Sequence, residues 1–347
     1  MRKAFFITSF CILLLMPSRM QAGMIGGLAG AWLRAPVGAD ARARGGATTA
    51  SPRHLFSWHN PALLVSGKEN RLTLGGSFRS LGRTEGVGAY EFRVPPRVGM
   101  GVSVLYRGDP FLDNLRDWEG DELEDGKFTT LTFKVGLAYF VSRTLYIGAN
   151  VSAFYQSMPV GYDGKALINE SAMSMGGFDV GARIEASDNI CIGLVVKNLG
   201  AGVTVNTVGD YDYDIPLEAQ FPPAAVAAAQ VTTRLLGKPF IWTCDLSGYV
   251  FDGKFTKLDH PSAILDNGVE WQYWTQFHLR AGVKDIELNG DIIHNGQRYR
   301  DLFSCAVTAG FYLDLSSLVK GLSLNYALAT DKVWAGVENV ADFMYVF

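Results

Sequence analysis

Five histidines, His54, His59, His260, His278 and His294, are the side chains of this 347-residue sequence best suited to hold a metal or move a proton near neutral pH. Their spacing supports neither. None falls in an H-E-x-x-H pattern or another ligand spacing. No G-x-S-x-G elbow marks a nucleophile. Cys191, Cys244 and Cys305 form no C-x-x-C pair, so neither a zinc site nor a disulfide framework is indicated. An acidic run holds Asp109, Asp113, Asp117, Glu119, Asp121, Glu122, Glu124 and Asp125. Such carboxylates suit calcium, yet the spacing does not put the glycine and distal glutamate of an EF-hand in register, and a solvated loop is the plainer reading. Asp210-Tyr211-Asp212-Tyr213-Asp214 mixes acid and aromatic and suits either a ligand contact or plain surface. No catalytic residue, metal or cofactor is expected, and the chain does not read as an enzyme.

The charges that remain have a common setting. Lys134, Asp179, Arg183, Glu185, Lys197, Asp245, Glu270, Arg280 and Lys284 sit in segments that alternate apolar with polar or small residues. In Thr144 to Gln156, Leu145, Ile147, Ala149, Val151, Ala153 and Tyr155 share one face. Asn150, Ser152 and Gln156 are on the other. Leu131, Phe133, Val135, Leu137, Tyr139 and Val141 alternate in the same way with Thr130, Thr132, Lys134 and Gly136. A period of two is the signature of a strand with two unlike faces. Fourteen such segments are counted: 69–80, 85–94, 98–107, 128–141, 143–157, 172–187, 189–198, 223–234, 239–250, 263–274, 276–286, 301–314, 321–329 and 337–347. The Ala-rich middle of 223–234 also suits a helix.

The connections between these segments alternate in length. Those at 95–97, 142, 188, 235–238, 275 and 315–320 are short. Those at 108–127, 158–171, 199–222, 251–262 and 287–300 are long. Short turns at one end and long loops at the other characterise outer-membrane barrels. Lipid offers the backbone no hydrogen bonds, so strands cross it only as a closed barrel. The expected fold is therefore all-β, a transmembrane antiparallel barrel of about 14 strands with an N-terminal segment in its lumen. Under that reading the charges above point inward, where they pair with one another and with Arg34, Arg42 and Arg44. Tyr90, Tyr106, Tyr139, Trp242, Trp271, Tyr273 and Trp274 lie near strand ends and suit interfacial girdles.

The first 22 residues read as a signal peptide. Arg2 and Lys3 precede the apolar run Ala4 to Met16, Pro17 breaks it, and Ala22-Gly23 offers a cleavage site. Thirteen apolar residues are too few to span a bilayer, which needs about 20. Removing the segment shifts the net charge from −3 to −6. No basic patch suggests nucleic acid. Residues 23–67 form the irregular luminal segment and 68–347 the barrel. Phe343, Tyr345 and Phe347 alternate along the last strand and are expected to be the signal read by the assembly machinery.

The order of short motifs resembles one known family. Leu33-Arg34-Ala35-Pro36-Val37-Gly38-Ala39 leads to Asn60-Pro61-Ala62. Gly177-Phe178-Asp179-Val180-Gly181, then Ile192 to Gly200 ending Lys197-Asn198-Leu199-Gly200, then Gly268-Val269-Glu270-Trp271 and Leu279-Arg280-Ala281-Gly282-Val283 follow. Together they resemble the FadL-like outer-membrane transport superfamily, in particular its PorV/PorQ branch, although Leu63 replaces the glycine usual after Asn-Pro-Ala. The resemblance implies a fourteen-stranded barrel whose N-terminal hatch includes Asn60, Pro61 and Ala62. It implies residence in the bacterial outer membrane and passive uptake of hydrophobic small molecules such as long-chain fatty acids. The alternative it implies is a component of type IX protein secretion, whose partner is a secreted protein. Val203, Val205, Val208, Ile215 and Leu217 in a long loop lean toward an apolar ligand.

Overall fold

Alternation of this kind has one stable outcome in lipid, and the chain adopts it. The computed structural model describes residues 33, 35–51, 53–67, 69–79, 82–112, 126–162, 167–208, 214–221, 223–249, 263–288, 291–294, 297–300, 305–330 and 336–347. The strands are β1 (Arg71–Phe78), β2 (Thr84–Val94), β3 (Val98–Leu112), β4 (Gly126–Ser142), β5 (Leu145–Tyr162), β6 (Leu167–Ser187) and β7 (Ile190–Leu199). A hairpin of β8 (Gly202–Val208) and β9 (Asp214–Gln220) follows. Then come β10 (Ala224–Leu235), β11 (Lys238–Tyr249), β12 (Ala263–Trp271) and β13 (Phe277–Glu287). A second hairpin, β14 (Asp291–His294) with β15 (Gln297–Arg300), precedes β16 (Ala306–Asp314), β17 (Leu322–Thr330) and β18 (Val337–Val346). Outside the two hairpins, fourteen strands form one closed antiparallel barrel. β1 pairs β18 from Arg71↔Val346 to Phe78↔Asn339, which closes it.

The wall has two unlike faces. On β4, Thr130, Thr132 and Lys134 are buried, while Leu131, Phe133, Val135, Leu137 and Tyr139 are 39–52% exposed. Large apolar side chains are exposed in the same way on β1, β3, β5, β6, β7, β11, β13 and β18. A continuous belt of this size has no place in water and is covered by lipid. With no free edge and an apolar belt, the chain is a β-barrel of the bacterial outer membrane. Arginine in place of Val135, midway along β4, should cost about 2–4 kcal/mol through burial of charge in lipid. Urea titration of the barrel refolded in vesicles measures it, and unchanged stability would contradict a lipid-facing Val135.

Aromatics collect where the short turns lie. Tyr90 stacks on Phe92 and Phe347, and Phe347 stacks on Tyr345. Trp271, Tyr273, Trp274 and Phe277 run edge to edge across the β12–β13 turn. These rings suit the boundary between lipid and headgroup.

Some connections differ from the sequence expectation. β5 and β6 extend to Tyr162 and from Leu167, leaving four residues between them where a loop over 158–171 was expected. Likewise β3 and β4 reach Leu112 and back from Gly126. Strand pairing past the lipid needs only hydrogen bonding, so hydropathy does not mark where it stops. The expected loops 199–222 and 287–300 carry the hairpins β8–β9 and β14–β15. The Ala-rich stretch is strand: β10 pairs with β7 and β11 throughout. The expected signal peptide, residues 23–32, residues 113–125 of the acidic run and residues 210–213 lie outside the described residues.

Candidate functional site

The barrel is filled from its N-terminal side. Residues 36–65 are almost all buried. They form helix α1 (Ala39–Ala43), helix α2 (Phe56–His59) and a 3-10 turn, Pro61–Val65. Asn60 starts that turn by accepting from the Ala62 amide at 3.1 Å. Its own amide donates to the carbonyls of Thr49 at 3.1 Å and Ala182 of β6 at 3.0 Å. Gly38 begins α1 at φ 84°, where a side chain would be strained and a Cβ would lie 2.5 Å from Leu55 Cδ1. We refer to residues 35–67 as the plug.

Its fit depends on missing side chains in the wall. Inward glycines on eight strands meet the plug's backbone or side chains. Gly99 and Gly101 of β3 and Gly136 of β4 face Leu64. Gly148 of β5 faces Pro61 and Ala62, Gly181 of β6 faces Asn60, and Gly193 of β7 faces Thr49 and Ala50. Gly268 of β12 and Gly282 of β13 face Arg44, and Gly310 of β16 faces Ala43. A methyl added at Gly193 would sit 2.6 Å from the Thr49 carbonyl oxygen. Around this belt the plug adds apolar contacts. Val37, Leu55 and Trp58 pack on Val87, Ala89 and Leu105, and Phe56, Leu63, Leu64 and Val65 pack on Ala138.

Charge fixes its orientation, through two buried networks. In the first, Arg42 Nη2 reaches both Glu85 oxygens at 2.9 Å and Nη1 bonds Glu338. Glu85 also receives Arg107 Nε at 2.6 Å and Arg79 Nη2 at 2.8 Å. In the second, Glu270 accepts from Arg53 and, at 2.9 Å, from Arg280 Nε. Arg280 continues to Asp40 at 3.2 Å and to Asn325 Oδ1 at 2.7 Å. Asn325 holds Asp342, which also faces His54 Nε2 at 3.1 Å and accepts the Ala39 amide. Burial pushes the Asp40 carboxyl up, but Arg44, Arg280 and His54 outweigh it and hold it well below the usual range. Burial pushes Arg42 and Arg53 down, and their glutamates more than restore them.

The inward charges expected from the sequence are placed as follows. Lys134 pairs with Asp179 at 2.5 Å and stands 4.8 Å over the Trp58 ring. Lys197 donates to the Trp58 carbonyl at 2.9 Å. Asp245 accepts the Thr48 and Thr49 amides at 3.1 and 2.9 Å. Glu270 and Arg280 stand in the second network. Arg183 turns aside, pairing with Glu185 at 2.8 Å and lying over Tyr146. One expectation is corrected: among the described residues Arg44 meets no wall charge but closes on Asp40 within the plug, one helical turn away. Arg34 lies outside the described residues. The sequence reading missed Glu85, Glu91, Glu338, Asp342, Arg53 and Arg107. Parity would have found most of them. Glu85 and Glu91 share a face with Val87 and Ala89, and Glu338 and Asp342 lie opposite Phe343 and Tyr345.

Beside the plug lies a chamber of about 70 Å³ between residues 35–59 and the wall from β7 to β13. Two wall irregularities border it. Asn198 stands at φ 60° where β6–β7 pairing shifts, and Asp285 at φ 61° where β12–β13 pairing shifts. Asn and Asp tolerate this conformation best among residues with a side chain, and such bulges re-aim side chains next to functional sites. Above the chamber, Phe154, Ala172, Ala201, Val203 and Phe221 form an apolar cluster with Leu33. Val203 thus joins an apolar patch, whereas the side chains of Val205, Val208, Ile215 and Leu217 lie outside the description. No group of three or more His, Cys, Asp or Glu among the described residues could hold a metal.

His59 gives the plug a pH dependence. Its Nδ1 lies 2.9 Å from Thr48 Oγ1, and burial, helped by Lys197, pushes its pKa well below 6.5. Below about pH 6.5 the unfolded chain takes a proton that the folded chain refuses, so stability falls with pH. Asp40, held below its unfolded value of 3.8, adds to the loss in the same direction, but only once the pH nears that value. Between pH 7.5 and 5 the urea midpoint should fall, and His59→Gln should flatten part of that slope. An identical slope in the variant would remove His59 from the account.

Strand number, closure and filled lumen define a class of transmembrane β-barrel. No family model matches the sequence, and no curated protein matches it. Solved structures do. The CymD monoaromatic hydrocarbon channel superposes with a TM-score of 0.61 at 15% identity, over 90% of this chain and 98% of that one. The Ralstonia pickettii toluene transporter TbuX gives 0.57 at 17%, over 90% and 98%. A Pseudomonas aeruginosa FadL homologue gives 0.52 at 12%, over 94% and 98%. The chain has the fold of these barrels along nearly their whole length.

Proposed function

We propose that this protein is a passive outer-membrane channel for hydrophobic small molecules, with the plug as its closure. The observation that carries the reading is the plug itself. A barrel of fourteen strands leaves room for a wide lumen, and this one is filled by a segment that is joined to the wall at its C-terminal end, before β1, and is otherwise held through side-chain networks. The match in fold to hydrocarbon and toluene channels supports an apolar ligand, of the monoaromatic or long-chain fatty-acid kind. The Phe154–Phe221 cluster above the chamber offers such a ligand a first contact, with the rings edge to face at 5.1 Å.

The test is uptake of radiolabelled toluene and palmitate by liposomes carrying the purified barrel. Uptake above protein-free liposomes is expected for at least one. No uptake of either, together with co-purification of exported surface proteins, would replace this reading by the PorV/PorQ-like role in type IX secretion.

A further inference from the structure

The chamber beside the plug is polar, which sits oddly with a purely apolar cargo. Three of its buried lining groups have unused hydrogen-bonding capacity. Trp58 Nε1 is a buried donor with no partner. Asp245 Oδ1 is a buried acceptor with no partner, its Oδ2 being engaged by the plug amides. Lys284 is 8% exposed and makes no hydrogen bond with any described residue, its charge being felt by Asp266 and Glu338. All three line the chamber, and Val37, Val226 and Ile264 complete it with apolar surface. Buried polar groups in a native structure are nearly always satisfied, so a donor and an acceptor left over in one chamber beside two bulges point to something that satisfies them.

We infer that the chamber receives the hydroxyl end of an otherwise apolar molecule, an alcohol or a phenol. The inference rests on the channel reading and narrows its cargo. A hydroxyl accepts and donates at once. Its oxygen accepts from Lys284 or Trp58, and its proton goes to Asp245. A carboxylate could use the two donors but would leave Asp245 Oδ1 without a donor and face Asp266 and Asp285, while Lys134 and Lys197 on the same lining are already engaged by Asp179 and the Trp58 carbonyl. A hydrocarbon would leave all three groups unmet. Sites built to bond a hydroxyl reject analogues lacking it far more strongly than apolar pockets reject an extra methylene.

The experiment compares 4-ethylphenol, ethylbenzene and 4-ethylbenzoate on the full mature barrel in nanodiscs, by calorimetric titration and by liposome uptake. 4-Ethylphenol should bind at least about tenfold tighter than either analogue. Lys284→Met and Trp58→Phe should each shrink that preference, with heat-modifiable migration on gels confirming folded barrels. Equal binding of the phenol and ethylbenzene, tightest binding of the benzoate, or no binding of any of them would overturn the hydroxyl site. The channel reading fails separately, when wild type takes up none of the labelled toluene and palmitate or of these probes.

Discussion

Alanine in place of Glu85 should destabilise the folded barrel by about 3–5 kcal/mol and release the plug from one side of the wall. Three arginines share this carboxylate: Arg42 from the plug, Arg79 and Arg107 from the wall. Glu338 pairs with Arg42 and Arg79. Removing Glu85 therefore leaves three buried or nearly buried guanidiniums crowded around one carboxylate. The cost is repulsion and lost solvation more than the loss of any single attraction. A surface pair of the same chemistry would be worth at most about 1 kcal/mol. Two readouts separate plug from wall: the urea midpoint in vesicles, and trypsin cleavage at Arg42, Arg44 or Arg53. Rapid cleavage at those arginines in a barrel that still shows heat-modifiable migration is expected. Wild-type protection with wild-type stability would mean the network holds nothing. Glu85→Gln should recover little, because the amide restores shape without charge.

The second large effect comes from the glycine belt. Leucine at Gly148 should displace the plug, because even a Cβ there would lie 2.5 to 2.6 Å from the Pro61 carbonyl carbon and the Ala62 nitrogen. Overpacking a core usually costs about 1–3 kcal/mol when side chains can shift. Here the obstacle is backbone in a turn already fixed by Asn60, so the upper end or beyond is expected. The wall strand has no reason to yield, since β5 is paired with β4 and β6 along its length. The plug should therefore move, and planar-bilayer recordings should show a higher ion conductance for the variant than for wild type. Gly237→Leu is the control: that turn glycine has open space around it, although its φ of 77° carries a strain of its own. Closed Gly148→Leu channels of normal stability would refute the tight fit.

The barrel was legible in the sequence because lipid enforces a strict rule. Each strand must place apolar residues on one face, and Leu131 to Tyr139 or Leu145 to Tyr155 cannot hide that parity. The strand count followed from fourteen such runs. The upper limits of β3 to β6 were not legible, since beyond the lipid no face must be apolar. The candidate site was legible only in part. Lys134, Asp179, Glu270 and Arg280 stood out as charges inside alternating runs. Their partners in the plug did not, because residues 33–67 have no periodicity and find their places by fitting notches. The glycines of the belt were visible one by one, but that they form a ring depends on register, which pairs Gly148 with Gly181 and Gly268 with Gly282. Asp245 and Lys284 were expected as inward charges, yet their free hydrogen-bonding capacity appears only when every neighbour is in place.

The seam between β1 and β18 has a further meaning. β18 holds β1 through eight register positions, and the same strand grips the plug through Glu338 and Asp342. The plug precedes β1 in the chain, with only a few residues between them. The last strand made is thus the one that joins both the first strand and the segment before it. Closure and filling become a single cooperative event, so that an empty barrel is penalised at its own seam. Assembly would then inspect its contents as it finishes. A chain lacking residues 33–67 should close its barrel more slowly in vesicles than the complete chain, and equal rates would separate the two events.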